Sequence, residues 1–246
     1  MWSYLILGVV QGITEWLPIS SQGVVAILGR FTQIGINEID AAIFLHLGTA
    51  CAVLFYFRHE WKKIIKLENP VLLKFLIIAT IISLIIGFPL YHLVRLTTVG
   101  PALLFITGIG LLITAWLHRT RRERGWSFNK LAYIGGLLQG LSVIPGFSRS
   151  GGTIFGLSLG KLNQTQILKI SYLMSVPIAL ASSFYLMLRT PTLIYQGWPA
   201  LITSFFFGVI TLSLLLKLSQ KINFFWWALT FSGLCFAGAL INFFAL

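Results

Sequence analysis

GVVQGITEWLPISSQG, residues 8–23, and GLLQGLSVIPGFSRSGG, residues 136–152, are two versions of one phrase. Gln11-Gly12 matches Gln139-Gly140, and Pro18 matches Pro145. A serine-rich tip follows each proline, and an apolar run follows each tip. Such tips expose backbone N–H groups, which is tolerable at membrane depth only where they line a polar cavity. Interrupted apolar segments at corresponding positions of two halves point to a binding site inside the membrane. The arms on either side of each break are too short to cross a bilayer, so each phrase reads as a re-entrant helix–loop–helix.

The rest of the chain agrees with a membrane setting. Of 246 residues, 57% are hydrophobic and only 10% charged, well below the roughly 25% charged of a soluble domain. Six apolar stretches are about long enough to span: Ala41–Phe57, Val71–Val94, Ala102–His118, Ile167–Leu188, Trp198–Leu218 and Phe224–Phe244. The expected fold is an all-α integral membrane protein formed by a single membrane domain, 1–246. A first repeat, 1–118, and a second, 131–246, each hold one hairpin and three spans, joined by a basic linker, 119–130. Three spans is an odd number, so the second repeat should enter the membrane from the opposite side, with the two tips meeting near the midplane.

The net charge of +12 sits in short loops, so anionic lipid and orientation explain it better than nucleic acid does. Loops Arg58–Lys66, Arg119–Lys130, Lys161–Lys169 and Lys217–Lys221 carry thirteen basic residues, against Arg30, Arg95 and Arg189 on the other side. That bias predicts a multi-pass plasma-membrane protein with these four loops cytoplasmic and both termini extracytoplasmic. Met1-Trp2-Ser3-Tyr4 lacks the basic start of a cleaved signal peptide. Cys51 and Cys235 have no metal-ligand spacing and read as small buried apolar residues. Trp2, Trp61, Trp126, Trp198, Trp226 and Trp227 read as interface-belt residues, and Trp16 as packing beside the tip.

Glu15 is the one acidic residue inside these apolar segments, and an intramembrane carboxylate reads as functional with a partner to be named. Arg149, at the second tip, is that partner or an anion clamp. The bland alternative is an ion pair that only fixes the hairpins together. Ser20, Ser21, Ser148, Ser150 and Thr153 crowd the tips, where a hydroxyl can donate to a phosphate oxygen or serve as a nucleophile. Gly23, Gly151 and Gly152 allow close backbone approach, and the helix restarting after each tip favours an anion at its N-terminus. Ser148 to Gly152 thus reads as a phosphate cradle. Gln11 and Gln139 are supporting polar residues, whether through interhelical hydrogen bonds or ligand contact. His46, His92 and His118 form no ligand cluster and read as structural.

At these residues the chain resembles the undecaprenyl-diphosphatase, or bacitracin-resistance, family. Gly-Ile-Thr-Glu-Trp-Leu-Pro-Ile-Ser-Ser, Gly12 to Ser21, is similar to the family's first motif, and Pro-Gly-Phe-Ser-Arg-Ser-Gly, Pro145 to Gly151, to its second. The resemblance implies hydrolysis of the terminal phosphate of a polyprenyl diphosphate at the outer face of the membrane, which recycles a glycan carrier lipid. It implies Glu15, Ser20, Ser21 and Arg149 as active-site residues, and a divalent cation, Mg²⁺ or Ca²⁺, held by Glu15. Two positions depart from the pattern: Gln11 stands where the family usually has Glu, and Val24 where it usually has His. Val24 cannot be nucleophile, base or ligand, so a mechanism through that histidine is excluded. A serine nucleophile or a metal-activated water stays open. The rival reading is a polyprenyl-phosphate flippase without hydrolysis, because broken helices in an inverted repeat also build transporters.

Overall fold

The computed structural model describes residues 2–17, 20–31, 37–97, 101–120, 124–144, 146–218 and 224–244. Pro18, Pro145, Arg121, Arg122 and Lys221 lie outside them, as do the side chains of Arg30 and His118. Among the described residues there are eleven α-helices and no strand, only an isolated bridge between Trp126 and Gly160.

The first hairpin is α1 (Trp2–Thr14) and α2 (Ser21–Phe31), and the second is α7 (Phe128–Leu141) and α8 (Arg149–Leu157). None exceeds 14 residues, so at about 1.5 Å per residue none covers a ~30 Å core alone. The six expected spans are α3 (Glu38–Tyr56), α5 (Pro70–Thr97), α6 (Pro101–Arg119), α9 (Gln164–Arg189), α10 (Thr192–Leu218) and α11 (Phe224–Phe244); a short α4 (Arg58–Ile65) follows α3. Four of them, α3, α5, α9 and α10, are long and apolar enough to cross a membrane. Their starts follow local chemistry. Asn37 caps α3 by accepting from the Ile39 and Asp40 amides, Asn163 and Gln166 form a reciprocal capping box on α9, and Pro70 and Pro101 occupy first turns. On α5, Ile77, Ile81 and Ile85 recur at helical spacing with 49–67% of their surface exposed. Such a stripe is stable only against lipid. Cys51 also faces outward rather than being buried, and both cysteines are free thiols.

Glycine spacing decides which helices touch. Gly8 and Gly12 of α1 lie against Ala200, Thr203, Ser204 and Gly208 of α10, and the matching Gly136 and Gly140 of α7 lie against Ala79, Ile82, Ser83 and Ile86 of α5. Any side chain at these four positions would collide with the facing helix. Small residues four apart let backbones approach where no hydrophobic force separates protein from lipid. The first arm of each hairpin therefore packs on a long helix from the other half of the chain. Between the halves, α3 packs on α9 and α6 on α11.

Among the described residues, three of the four basic loops lie together. Lys169 Nζ donates to Glu60 Oε1 at 2.6 Å, joining α4 to the start of α9. The Arg124 amide donates to the Leu159 carbonyl at 3.0 Å, placing the linker beside the end of α8. At the other end, Arg95 meets Asp40 at 2.8 Å, and the Arg189 guanidinium lies over the Tyr185 ring, which packs on Tyr91.

Candidate functional site

The two hairpin tips are clasped to each other. Ser20 Oγ accepts the Gly146 amide at 3.0 Å and faces the Gly23 amide at 3.4 Å, while Ser150 Oγ donates to the Leu17 carbonyl at 2.8 Å. Ser20 takes a left-handed backbone conformation, φ 55°, to make its contact. Gly146, φ 91°, presses on the backbone of Thr107 in α6 so closely that no Cβ fits. Ser148 caps α8 by accepting from the Gly151 amide at 3.1 Å.

The clasp sets Glu15 opposite Arg149. Glu15 is buried, and four donors converge on its two oxygens. Oε2 accepts from Gln11 Nε2 at 2.7 Å and Ser21 Oγ at 2.6 Å, and faces His46 Nε2 at 3.2 Å. Oε1 accepts from Arg149 Nη2. Beneath the guanidinium lies the ring of Trp16, fully buried, with its Nε1 donating to the Gly208 carbonyl at 2.9 Å and its edge against Tyr172. A buried carboxylate is stable only when its charge and lone pairs are met in this way.

Glu15, Ser20, Ser21, Gln139, Ser148, Arg149 and Ser150 line one cavity of about 300 Å³. Its other walls are Leu84, Phe88 and Tyr91 of α5 and Ile178, Tyr185 and Leu186 of α9, with the hydroxyls of Ser83, Ser142, Ser175 and Ser182 between. The cavity is polar at the tips and apolar and aromatic toward the end that holds Arg95 and Arg189. Gln139 makes interhelical hydrogen bonds, its Nε2 donating to Ser83 Oγ and to the Met174 carbonyl, and it also lines the cavity. Gln11 stands behind Glu15 rather than in the cavity. Gly23, Gly151 and Thr153 do not line it. Gly23 abuts Thr107, and Thr153 Oγ1 shares a 2.6 Å hydrogen bond with Ser171 Oγ of α9.

Two residues of this region were not marked by the sequence. His46, read as structural, lies against Glu15. Asp40 is a second buried carboxylate inside an apolar helix, accepting from Tyr91 Oη at 2.6 Å and paired with Arg95. The only advance signal for Asp40 was its place one residue before an apolar run.

A divalent cation held by side chains alone does not fit this donor set. Both Glu15 oxygens already face donors, one of them the Arg149 cation. Among the described residues no three of His, Cys, Asp or Glu lie together, whereas an oxygen-loving cation needs six or more ligands.

Comparison with known proteins places this geometry in a family. The family model described as bacitracin resistance protein BacA matches residues 4–236. A protein of Methanococcoides burtonii named undecaprenyl-diphosphatase is 33% identical over 89% of this chain and 91% of its own length. Proteins of the same name from Methanothrix thermoacetophila, 34% identical over 92% of both chains, and Haloarcula marismortui, 32% identical over 96% of both, are also similar. The chain belongs to the bacitracin resistance protein BacA family.

Proposed function

We propose that this member of the family hydrolyses the terminal phosphate of an undecaprenyl-type polyprenyl diphosphate at the outer face of the plasma membrane, returning the carrier lipid to use. One observation carries the reading. Ser21 Oγ donates at 2.6 Å to a carboxylate that Arg149 also holds, at one end of a cavity whose far walls are apolar and aromatic, with serine hydroxyls between. A diphosphate on an isoprenoid chain has the same two-part character. The name shared by the relatives supports the substrate class.

The two tip serines divide their work. Ser20 Oγ is occupied by backbone amides and holds the tips together. Ser21 is the nucleophile, with Glu15 Oε2 placed to take its proton. Arg149 spends one donor on Glu15 and one, at 3.5 Å, on the Ser171 carbonyl, and its remaining donors face phosphate oxygens. The hydroxyls of Ser148 and Ser150 line the same end. Charge growing on the departing phosphate is met by groups already in place, the largest source of catalysis in phosphoryl transfer.

Repeats 1–118 and 131–246 are related by inversion, a reading supported by the exchanged pairing of α1 with α10 and α7 with α5. The basic loops face the cytoplasm and both termini face out. The aromatic end of the cavity then opens on the outer side, between α5 and α9.

Purified protein in detergent, given a polyprenyl diphosphate, should release inorganic phosphate, and Glu15→Gln at equal folded concentration should not. Robust release by both would remove Glu15 from the chemistry. No release by wild type, together with lipid translocation in vesicles, would make the protein a transporter.

A further inference from the structure

We infer that His46, on α3, is a catalytic acid of this site. The inference rests on the phosphatase reading and adds a residue to it. His46 lines the cavity with 17% of its side chain exposed, so it is open to a ligand. Its Nδ1 lies 2.8 Å from the Ala42 carbonyl. A carbonyl only accepts, so Nδ1 carries a proton and the ring is fixed with Nε2 toward Glu15. Nε2 then faces Oε2 at 3.2 Å. An ionised carboxylate also only accepts, so this contact holds a second proton, shared between Glu15 and His46. Ser21 donates to the same Oε2. Serine, carboxylate and imidazole thus lie in series, with the carboxylate in the middle.

That order lets a proton enter at Ser21 and leave at His46. Ser21 Oγ attacks the terminal phosphorus and its proton passes to Glu15 Oε2. The bond from phosphorus to the bridging oxygen breaks, and its electron pair stays on the departing polyprenyl monophosphate. The bridging oxygen takes the proton from His46 Nε2. The proton on Glu15 then crosses to Nε2 and restores the pair. In the second half, water attacks the phosphoserine and gives a proton to Glu15. The Oγ–P bond breaks, and Ser21 recovers that proton as phosphate leaves.

The test is His46→Gln, whose amide can still donate to Glu15 but cannot deliver a proton. Phosphate release from a polyprenyl diphosphate should fall in kcat by about 100-fold or more, the usual share of a general acid, with KM within about threefold. Binding of a methylene-bridged diphosphate analogue, and the melting temperature in detergent, should stay near wild type. The charges acting on His46 are Glu15, at the end of α1, and Arg149, at the start of α8, with the Tyr172 hydroxyl of α9 close to both. Wild-type kcat should fall as rising pH strips the second proton from the pair, and that limb should vanish in His46→Gln. Turnover within about threefold of wild type with an unchanged pH profile would overturn the acid role and leave the phosphatase reading intact. Parallel loss of turnover and analogue binding would make His46 a binding group and overturn it too. A wild type that releases no phosphate would bring down both readings together. Should His46→Gln not fold, His46→Asn, which can keep the Ala42 contact, is read by the same criteria.

Discussion

Ser20 Oγ accepts the backbone amide of Gly146, 126 positions further along the sequence, at 3.0 Å. Its neighbour Ser21 points instead at Glu15. Alanine at the two positions should therefore fail differently. Ser20→Ala strands a buried amide and should cost about 1–3 kcal/mol of stability, read as a lower melting temperature in detergent. Ser21→Ala should melt near wild type and release no phosphate. The reverse pattern would exchange their roles.

Arg149→Lys keeps the charge but should lose about tenfold or more in kcat/KM. One guanidinium meets Glu15, Ser171 and the Trp16 ring at once and still offers donors to phosphate. An ammonium has three donors and no plane to stack. Near-normal turnover in Arg149→Lys would mean that a point charge suffices.

Gly146→Ala should be among the most damaging single-methyl changes in the chain. The left-handed backbone costs an L-residue about 1–2 kcal/mol, and the new Cβ would meet the backbone of Thr107. Little folded protein should be recovered by size-exclusion chromatography. A well-folded variant with full activity would show that the tip can shift away from α6.

Glu60 lies outside the spans, on α4, and its bridge to Lys169 near the start of α9 gives a pH test. Burial pushes the Glu60 carboxyl up, but the Lys169 hydrogen bond, a backbone hydrogen bond and the charges of Lys169 and His59 together more than offset this and hold it below the ordinary 4.5. A depressed folded value means that the stability is present above pH 4.5 and lost as pH falls below it. The pair is partly exposed, so the increment should be under about 1 kcal/mol. Glu60→Gln should remove that part of the acid sensitivity seen in melting curves from pH 6 to 3. An identical acid slope in the variant would show the bridge to be inert.

Single cysteines at Lys169 and at Arg189, in a background lacking Cys51 and Cys235, should label from opposite sides of the membrane. An impermeant maleimide added to intact cells should reach position 189 and not 169. Labelling of 169 from outside would invert the topology.

The sequence carried most of this fold because hydrophobic run length and a repeated proline break are local signals. All six expected spans are helices, displaced by a few residues at their ends. Those small displacements mattered once: a span begun at Ala41 leaves Asp40 in a loop, whereas α3 begins at Glu38 and buries it. That Glu15 and Arg149 would meet beside the tip serines was legible because polar groups are rare in such segments. His46 was not. A single histidine on an apolar helix carries no mark of which face meets the tips, and its contact with Glu15 exists only after α3 packs beside both hairpins. Nor does the sequence separate Ser20 from Ser21, because a left-handed residue at the tip sends adjacent hydroxyls to different partners.

The clasp between the tips also fixes when the protein can become itself. Glu15 leaves the ribosome more than a hundred residues ahead of Arg149, and Ser20 equally far ahead of Gly146. Until the second hairpin is made, the nascent first half holds a carboxylate without its guanidinium and a serine hydroxyl without its amide. In that interval Glu15 has only its first-half partners, Gln11, Ser21 and His46, to meet its charge. The buried network at the tips is therefore complete only once the second hairpin has been made.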